Sequence, residues 1–326
     1  MSSPFVRTWL KHLVGPSDKE RPRRRNTSRL RLEELESRTL LSAGSLDTTF
    51  GIGGRVVTDF GAAEQARAVA IQPNDDKIVV AGVTDAGGGE NFALARYNPD
   101  GTPDLTFSFD GKVATDFFGG NDEANAVAIQ SDGKIVVAGF ATSPPDNIEI
   151  NALARYNGNG TLDLTFGHNG IVTGLLRGGS LIAGHWNALT ILSNGQILVA
   201  GVTGSVFGPR QSFELARYNS GGSLDLSFGP NGDGEVSTYF FPDAEAHDLA
   251  IQADGKIVVV GNNTAVPEVD LARYSRDGIL DPTFGQGGQL TTQLNAGIKK
   301  LWANGTIARL QKKWFNLDFS KLPDLK

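Results

Sequence analysis

Four arginines occupy matching places along the chain: Arg96, Arg155, Arg217 and Arg273, each inside a Leu-Ala-Arg-Tyr tetrad. A guanidinium presents its donors as a planar fork that suits carboxylates and phosphates. If the four lined a shared channel, they would bind an anion. The alternative pairs each with a carboxylate of its own unit, Asp104, Asp163, Asp225 or Asp281, because each aspartate follows its arginine at a constant separation. A half-buried arginine needs such a partner. These aspartates can also cap turns through backbone amides, so both sets read as scaffold before they read as a site.

Other chemistry is sparse. The chain has no cysteine, which excludes a disulfide framework, a thiolate nucleophile and a cysteine–zinc site. His12, His168, His185 and His247 share no local spacing and no equivalent place in the repeats, and are expected to be solvated loop residues. Glycine clusters at 51–54 and 87–89 are not followed by a helix pattern, so they lack the N-terminus that lets a glycine loop hold phosphate. Loop carboxylates such as Asp233 fall short of the spaced ligand set of a calcium loop. No serine lies in a nucleophile elbow. The expectation is therefore no catalytic, cofactor-binding or metal-binding residue.

The elements that would position these groups are set by an internal repeat. Leu/Pro-Asp-x-x-Phe places Phe50, Phe107, Phe166, Phe228 and Phe284 in step with the arginines. A third marker, Asp132-Gly133-Lys134-Ile135-Val136-Val137-Ala138-Gly139, recurs at Asn194-Gly195 and Asp254-Gly255, and in weaker form at Asp75-Asp76. In the second copy the strands are expected at Lys112–Phe117, Asn125–Gln130, Lys134–Phe140 and Asn151–Asn157. The Asp-Gly pair suggests a tight hairpin with positive φ at both central residues. Val- and Ile-rich runs suit pleated, half-buried surfaces, and a glycine count of 41 suits many tight turns. The fold expected is all-β: a β-propeller-like array of four four-stranded antiparallel blades plus a partial fifth, with a short helical C-terminal tail. The units fall at about 45–102, 103–161, 162–223 and 224–279, with 280–294 as the partial fifth.

The LDxxFG start, DGKIVVAG hairpin and LARYN strand resemble the delta-60 repeat of bacterial surface proteins, over more than three quarters of the chain. The resemblance implies propeller-like β structure in an extracellular protein with no defined catalysis. Departures are Asp75-Asp76 in the first hairpin, Ser193-Asn194-Gly195-Gln196 in the third, and Ser275 in the fourth.

Charge divides the chain into three. Residues 1–43 carry ten Lys/Arg against five Asp/Glu, and residues 297–326 carry seven against two, leaving 13 against 29 in the body. An acidic body argues against binding a nucleic-acid backbone. No apolar run reaches the roughly 18 residues of a membrane span. The leader lacks the apolar stretch of a secretory signal. Its LEELESRTLLSA stretch nevertheless resembles the LEPR-XLL-type segment of exported bacterial proteins, with Glu36, Arg38, Leu40 and Leu41 on the motif and Ser37 in place of the usual proline. That implies a mostly disordered export segment before the body at 44–294. In the tail, 295–326, apolar residues at helical spacing predict two short helices broken at Asn304-Gly305. The tail resembles the C-terminus of periplasmic amino-acid-binding proteins, so it reads as a foreign segment or, alternatively, as a cap on the last open edge.

Function on such a scaffold is expected in the loops, such as Thr142–Asn151 and Gly204–Ser212. The reading is a non-catalytic secreted or cell-surface module that binds a protein or glycan. An extracellular polysaccharide-active enzyme is the alternative, and needs two carboxylates at unrepeated positions converging on the channel. A solute-binding component of an importer, suggested by the tail alone, lacks the two α/β lobes that role requires.

Overall fold

A computed structural model describes residues 45–292 apart from 87, 144, 146, 178–179, 205–210, 242 and 264–267. The leader 1–43 and the tail 295–326 lie outside the described residues, as does His12.

Every regular element among the described residues is a strand, and none is a helix long and apolar enough to cross a membrane. Four antiparallel sheets follow in chain order. Blade I comprises β1 (Glu64–Ile71), β2 (Ile78–Thr84), β3 (Asn91–Tyr97) and β4 (Lys112–Thr115). Blade II comprises β5 (Asp122–Ile129), β6 (Ile135–Ser143), β7 (Ile148–Tyr156) and β8 (Ile171–Thr173). Blade III holds β10 (Ser180–Ile191), β11 (Ile197–Gly204), β12 (Gln211–Tyr218) and β13 (Glu235–Thr238), with β9 (Leu175–Arg177) as an added strand on β10. Blade IV comprises β14 (Ala244–Ile251), β15 (Ile257–Asn263), β16 (Val269–Tyr274) and β17 (Gln289–Thr292).

The sheets are out of phase with the sequence units by one strand. Lys112–Thr115, expected as the first strand of the second unit, is the last strand of blade I, pairing with Phe92–Ala95. Backbone bonds across the intervening loop fix this: Arg96 N donates to Gly111 O at 2.9 Å, and Asp104 N to Arg96 O at 2.9 Å. The partial fifth unit is corrected likewise. Residues 280–292 complete blade IV and begin no fifth blade.

The hairpin expectation also needs correction. Gly133, Gly195 and Gly255 have φ of 84°, 83° and 84°, but the residue before each stays at negative φ. Gln130 N donates to Lys134 O and Gly133 N to Gln130 O, so the loop is a turn closed by one left-handed glycine. The aspartate is there because Asp132 Oδ1 accepts from Lys134 N at 3.2 Å. In the first hairpin Asp76 takes the left-handed role at φ 53°.

Strand alternation gives each blade two apolar faces. Val79, Ala81, Leu94 and Phe107 of blade I pack on Ile135, Val137, Ala152, Ala154 and Tyr156 of blade II. The opposite face of blade II, with Val136, Ala138 and Leu153, meets Ile197, Val199, Ala216 and Tyr218 of blade III. Leu198, Ala200 and Leu215 then meet Ile257, Val259, Ala272 and Tyr274 of blade IV. Each large buried side chain contributes roughly 1.5–3 kcal/mol, so the core is three copies of one interface.

Candidate functional site on the first strands

The repeated arginines bind protein groups, and three of them, Arg96, Arg155 and Arg217, reach into the following blade. Arg96 Nε donates to Asp104 Oδ2 at 2.7 Å, and Arg217 Nε to Asp225 Oδ2 at 2.7 Å. The Arg155–Asp163 and Arg273–Asp281 pairs measure 2.8 and 3.0 Å. Nη1 of Arg96 donates to Gly158 O at 2.6 Å and that of Arg217 to Arg276 O at 2.8 Å; Arg155 bonds Ser220 O in the same way. Each guanidinium also lies 4.6–4.7 Å from the ring of its LDxxF phenylalanine. Burial pushes the Asp104 and Asp163 carboxyls up, but Lys77 or Lys134, a threonine hydroxyl and amide, and the arginine hold both well below the usual range. Asp225 sits at about 2: burial is outweighed by Ser227, Arg217 and Gln196, which stands where the other blades have lysine. Arg96, Arg155 and Arg217 are thus inter-blade staples, and Arg273 pairs within its own blade.

A different set of residues converges on the first strands. Each first strand is bulged, with register shifts at Ala66/Ala68, Ala124/Ala126, Trp186/Ala188 and Ala246/Asp248. The extra residue is Arg67, Asn125, Asn187 or His247, and two places earlier stand Gln65, Glu123, His185 and Glu245. The bulge brings a strand-one carbonyl against strand two, where only glycine fits. A Cβ on Gly139 would lie 1.8 Å from Glu123 O, and one on Gly201 would lie 2.0 Å from His185 O.

These positions link blade to blade by polar contacts that differ at each step. Arg67 pairs with Glu123. Asn125 Nδ2 donates to Trp186 O at 3.1 Å. Glu245 Oε1 lies 2.9 Å from both His185 Nε2 and Asn187 Nδ2. The His185 hydrogen bond and Asn187 pull the Glu245 carboxyl down against its burial. An ionised Glu245 can only accept, so His185 carries its proton on Nε2 and, when neutral, turns a bare Nδ1 toward Glu149 Oε2 at 3.8 Å. His247 Nδ1 lies 3.8 Å from the same Glu245 oxygen. Glu123 moves the other way: burial raises it, Arg67 opposes, and Glu90 and Glu149 raise it further.

Beside this line opens a cleft of ≈ 470 Å³ lined by Glu90, Gly120, Asn121, Glu123, Phe140, Thr142, Asn147 and Glu149. Glu90 also borders a smaller cleft of ≈ 150 Å³ with Glu64, Gln65, Arg67 and Asp85. Phe140 is an aromatic at a place where the registers of the other blades put Val83, Val202 and Asn262. Its ring centroid lies 6.1 Å from that of His185.

The histidine expectation is therefore corrected for His185 and His247, while His168 is an exposed loop residue as expected. His185 lies on β10 and His247 on β14, at the two places that carry Glu123 and Asn125 in blade II. A search for identical repeated residues passes over them, because the position repeats while the residue changes. Comparing Gln65, Glu123, His185 and Glu245, and likewise Arg67, Asn125, Asn187 and His247, down the repeat would have exposed them. Among the described residues no group of three or more His, Asp or Glu is arranged to hold a metal. The loop expected over Thr142–Asn151 is mostly strand, though Thr142, Asn147 and Glu149 do reach the cleft. The Gly204–Ser212 loop falls largely outside the described residues.

No curated protein matches the chain. Among solved structures it is similar to a GH43 glycoside hydrolase engineered for endo-xylanase and exo-arabinofuranosidase activity, at 13% identity over 72% of this chain and 43% of that one, TM-score 0.36. It is also similar to a GH43_12 protein from a capybara gut metagenome, at 12% identity over 71% and 48%, TM-score 0.37. Sqt1 from Chaetomium thermophilum matches at 13% identity over 68% and 61%, TM-score 0.33. The chain spans less than two thirds of each of these three. Residues 74–107, 130–166, 192–228 and 252–284 match the family described as a domain of unknown function (DUF5122) beta-propeller, so the chain carries four β-propeller repeats of that type.

Proposed function

We propose that this β-propeller is a secreted or cell-surface binding module that takes a glycan in the acidic cleft of blade II. The observation that carries the reading is the contrast between scaffold and cleft. The Arg–Asp–Phe sets recur in every blade, whereas Phe140 stands where the other blades carry Val83, Val202 and Asn262, and Glu123 stands where blades I and III carry Gln65 and His185. Carboxylates and amides accept from and donate to paired hydroxyls, and an aromatic face covers the apolar side of a sugar ring. Three glutamates in the cleft favour neutral or amino sugars over acidic ones.

Calorimetric titration with neutral, amino-sugar and uronic oligosaccharides tests this. Binding of the first two classes, weakened at least about tenfold (1.4 kcal/mol) by Phe140→Ala and by Glu149→Gln, is expected. Binding indifferent to both substitutions would remove the cleft from the account. Export rests on the leader resemblance, and a reporter fused to residues 1–43 and retained in the cytosol would count against it.

One observation favours a second reading. Glu123 and Glu245, carboxyls at one repeat position in blades II and IV, are displaced in opposite directions, a pattern shared by acid–base pairs of glycoside hydrolases. Release of reducing ends from an oligosaccharide, abolished in both Glu123→Gln and Glu245→Gln, would select this reading over the non-catalytic one.

A further inference from the structure

Residues 46–58, ahead of blade I, read LDTTFGIGGRVVT; residues 280–292, which close blade IV, read LDPTFGQGGQLTT. The first stretch also takes the place of the second. Gly51 N donates to Asp100 O at 2.7 Å, as Ser108, Gly167 and Gly229 donate to Asn159, Gly221 and Asp277 at 2.8–2.9 Å. Thr58 bonds the Tyr97 hydroxyl, as Thr115 and Thr238 bond Tyr156 and Tyr274. Residues 46–58 therefore hold on blade I the place that the last strand of each blade holds on the blade after it.

Among the described residues, the face of blade I beside this stretch is left open. Ile78, Val80, Ala93, Ala95 and Tyr97 line a groove of ≈ 570 Å³ together with Phe50 and Val56. Val69, on the same face through its pairing with Val80, is 63% exposed, and Ile71 is 53% exposed. In blades II to IV the residues matching Ile78, Val80 and Tyr97 are buried against the blade before, and those matching Val69 are partly buried. Blade IV shows the complementary defect. Val258, Val260 and Leu271 are half-exposed where Val136, Ala138 and Leu153 are buried, and Phe284 is half-exposed where Phe107, Phe166 and Phe228 are fully buried.

We propose that two copies of the chain associate head to tail. The open face of blade IV in one copy packs on the open face of blade I in the other, and residues 46–58 take the β16 edge that β17 otherwise fills. The occupant is fixed by continuity: the chain builds this interface three times internally, and the two open faces are its two unmatched halves. The contact is heterologous, so it either closes into a ring or propagates.

Because the chain lacks cysteine, a disulfide test is clean. Leu271 pairs with Leu290, whose counterpart in the first stretch is Val56. Mixing Val56→Cys protein with Leu271→Cys protein under mild oxidation is expected to give a covalent heterodimer. In sedimentation velocity the native chain should associate with rising concentration. Val80→Lys and Val258→Lys should each weaken this at least about tenfold, and their mixture should restore one pair and stop there, each retaining one intact face. Melting curves confirm that each variant folds. A native chain that stays monomeric throughout overturns the proposal. So does association that survives Val258→Lys, or a Val56→Cys/Leu271→Cys double variant that links only within one chain. If deleting 293–326 is what first permits association, the tail and not a second copy fills the face, and the proposal again fails.

Discussion

Replacing Arg155 by methionine removes the staple between blades II and III while keeping an unbranched apolar stem against Phe166. The loss has three parts. Asp163, 5% exposed, keeps Lys134 Nζ at 2.8 Å and the Thr165 donors but loses its guanidinium. The carbonyl of Ser220 loses its donor, and the ring of Phe166 loses the cation 4.6 Å above it. Breaking a buried ion pair from one side costs about 3–5 kcal/mol, and the lysine left behind puts this case near 3. Arg273→Met serves as an internal control. Arg273 is a fifth exposed at its side chain and meets no next-blade carbonyl among the described residues, so its loss should be about 1–2 kcal/mol. Urea unfolding at neutral pH reads both, as a shift in midpoint at constant slope. Adding Asp163→Asn to Arg155→Met should recover part of the loss, since the cost comes from an orphaned charge. Equal losses at 155 and 273, or no recovery in the double variant, would refute the account of the arginine as an inter-blade staple.

Acid should weaken the same contact. The folded Asp163 carboxyl lies below its unfolded 3.8, so its contribution is complete above that value and lost as pH falls through the folded one. Asp122 runs the opposite way. Burial lifts it to about 6 against the Phe117 and Thr142 amides, so its contribution is full below 3.8 and lost as pH rises through about 6; Asp122→Asn should flatten that part of the stability profile. Gly139→Ala forces a Cβ against Glu123 O and should cost more than roughly 1–3 kcal/mol. Gly133→Ala, with open space but φ 84°, should cost about 1 kcal/mol; thermal melts rank the pair. Gln196→Lys restores the lysine of the other blades beside Asp225 and should raise the urea midpoint slightly, by under about 1 kcal/mol.

The scaffold was legible because its physics recurs. An arginine, its aspartate and a phenylalanine must keep their spacing wherever one blade is stapled to the next, and sequence shows that spacing directly. The phase of the sheets was not legible, because a repeat looks the same wherever counting begins. What decides it is the loop from Asn98 to Gly111, whose backbone bonds fold Lys112–Thr115 back on β3. The cleft escaped for the opposite reason to the staples. Glu123, His185 and Glu245 have no motif, and only strand register shows that they hold one position in three blades.

The bulge in each first strand has a consequence beyond geometry. It takes one side chain per blade out of the in-and-out alternation that the core dictates, and the glycine opposite it (Gly82, Gly139, Gly201 or Gly261) absorbs the distortion with backbone alone. Arg67, Asn125, Asn187 and His247 stand outside the apolar packing that binds their neighbours, and the first three carry polar contacts from one blade to the next instead. The side chain at this one position per blade therefore sets which polar contact joins each pair of neighbours, while the apolar interfaces stay alike.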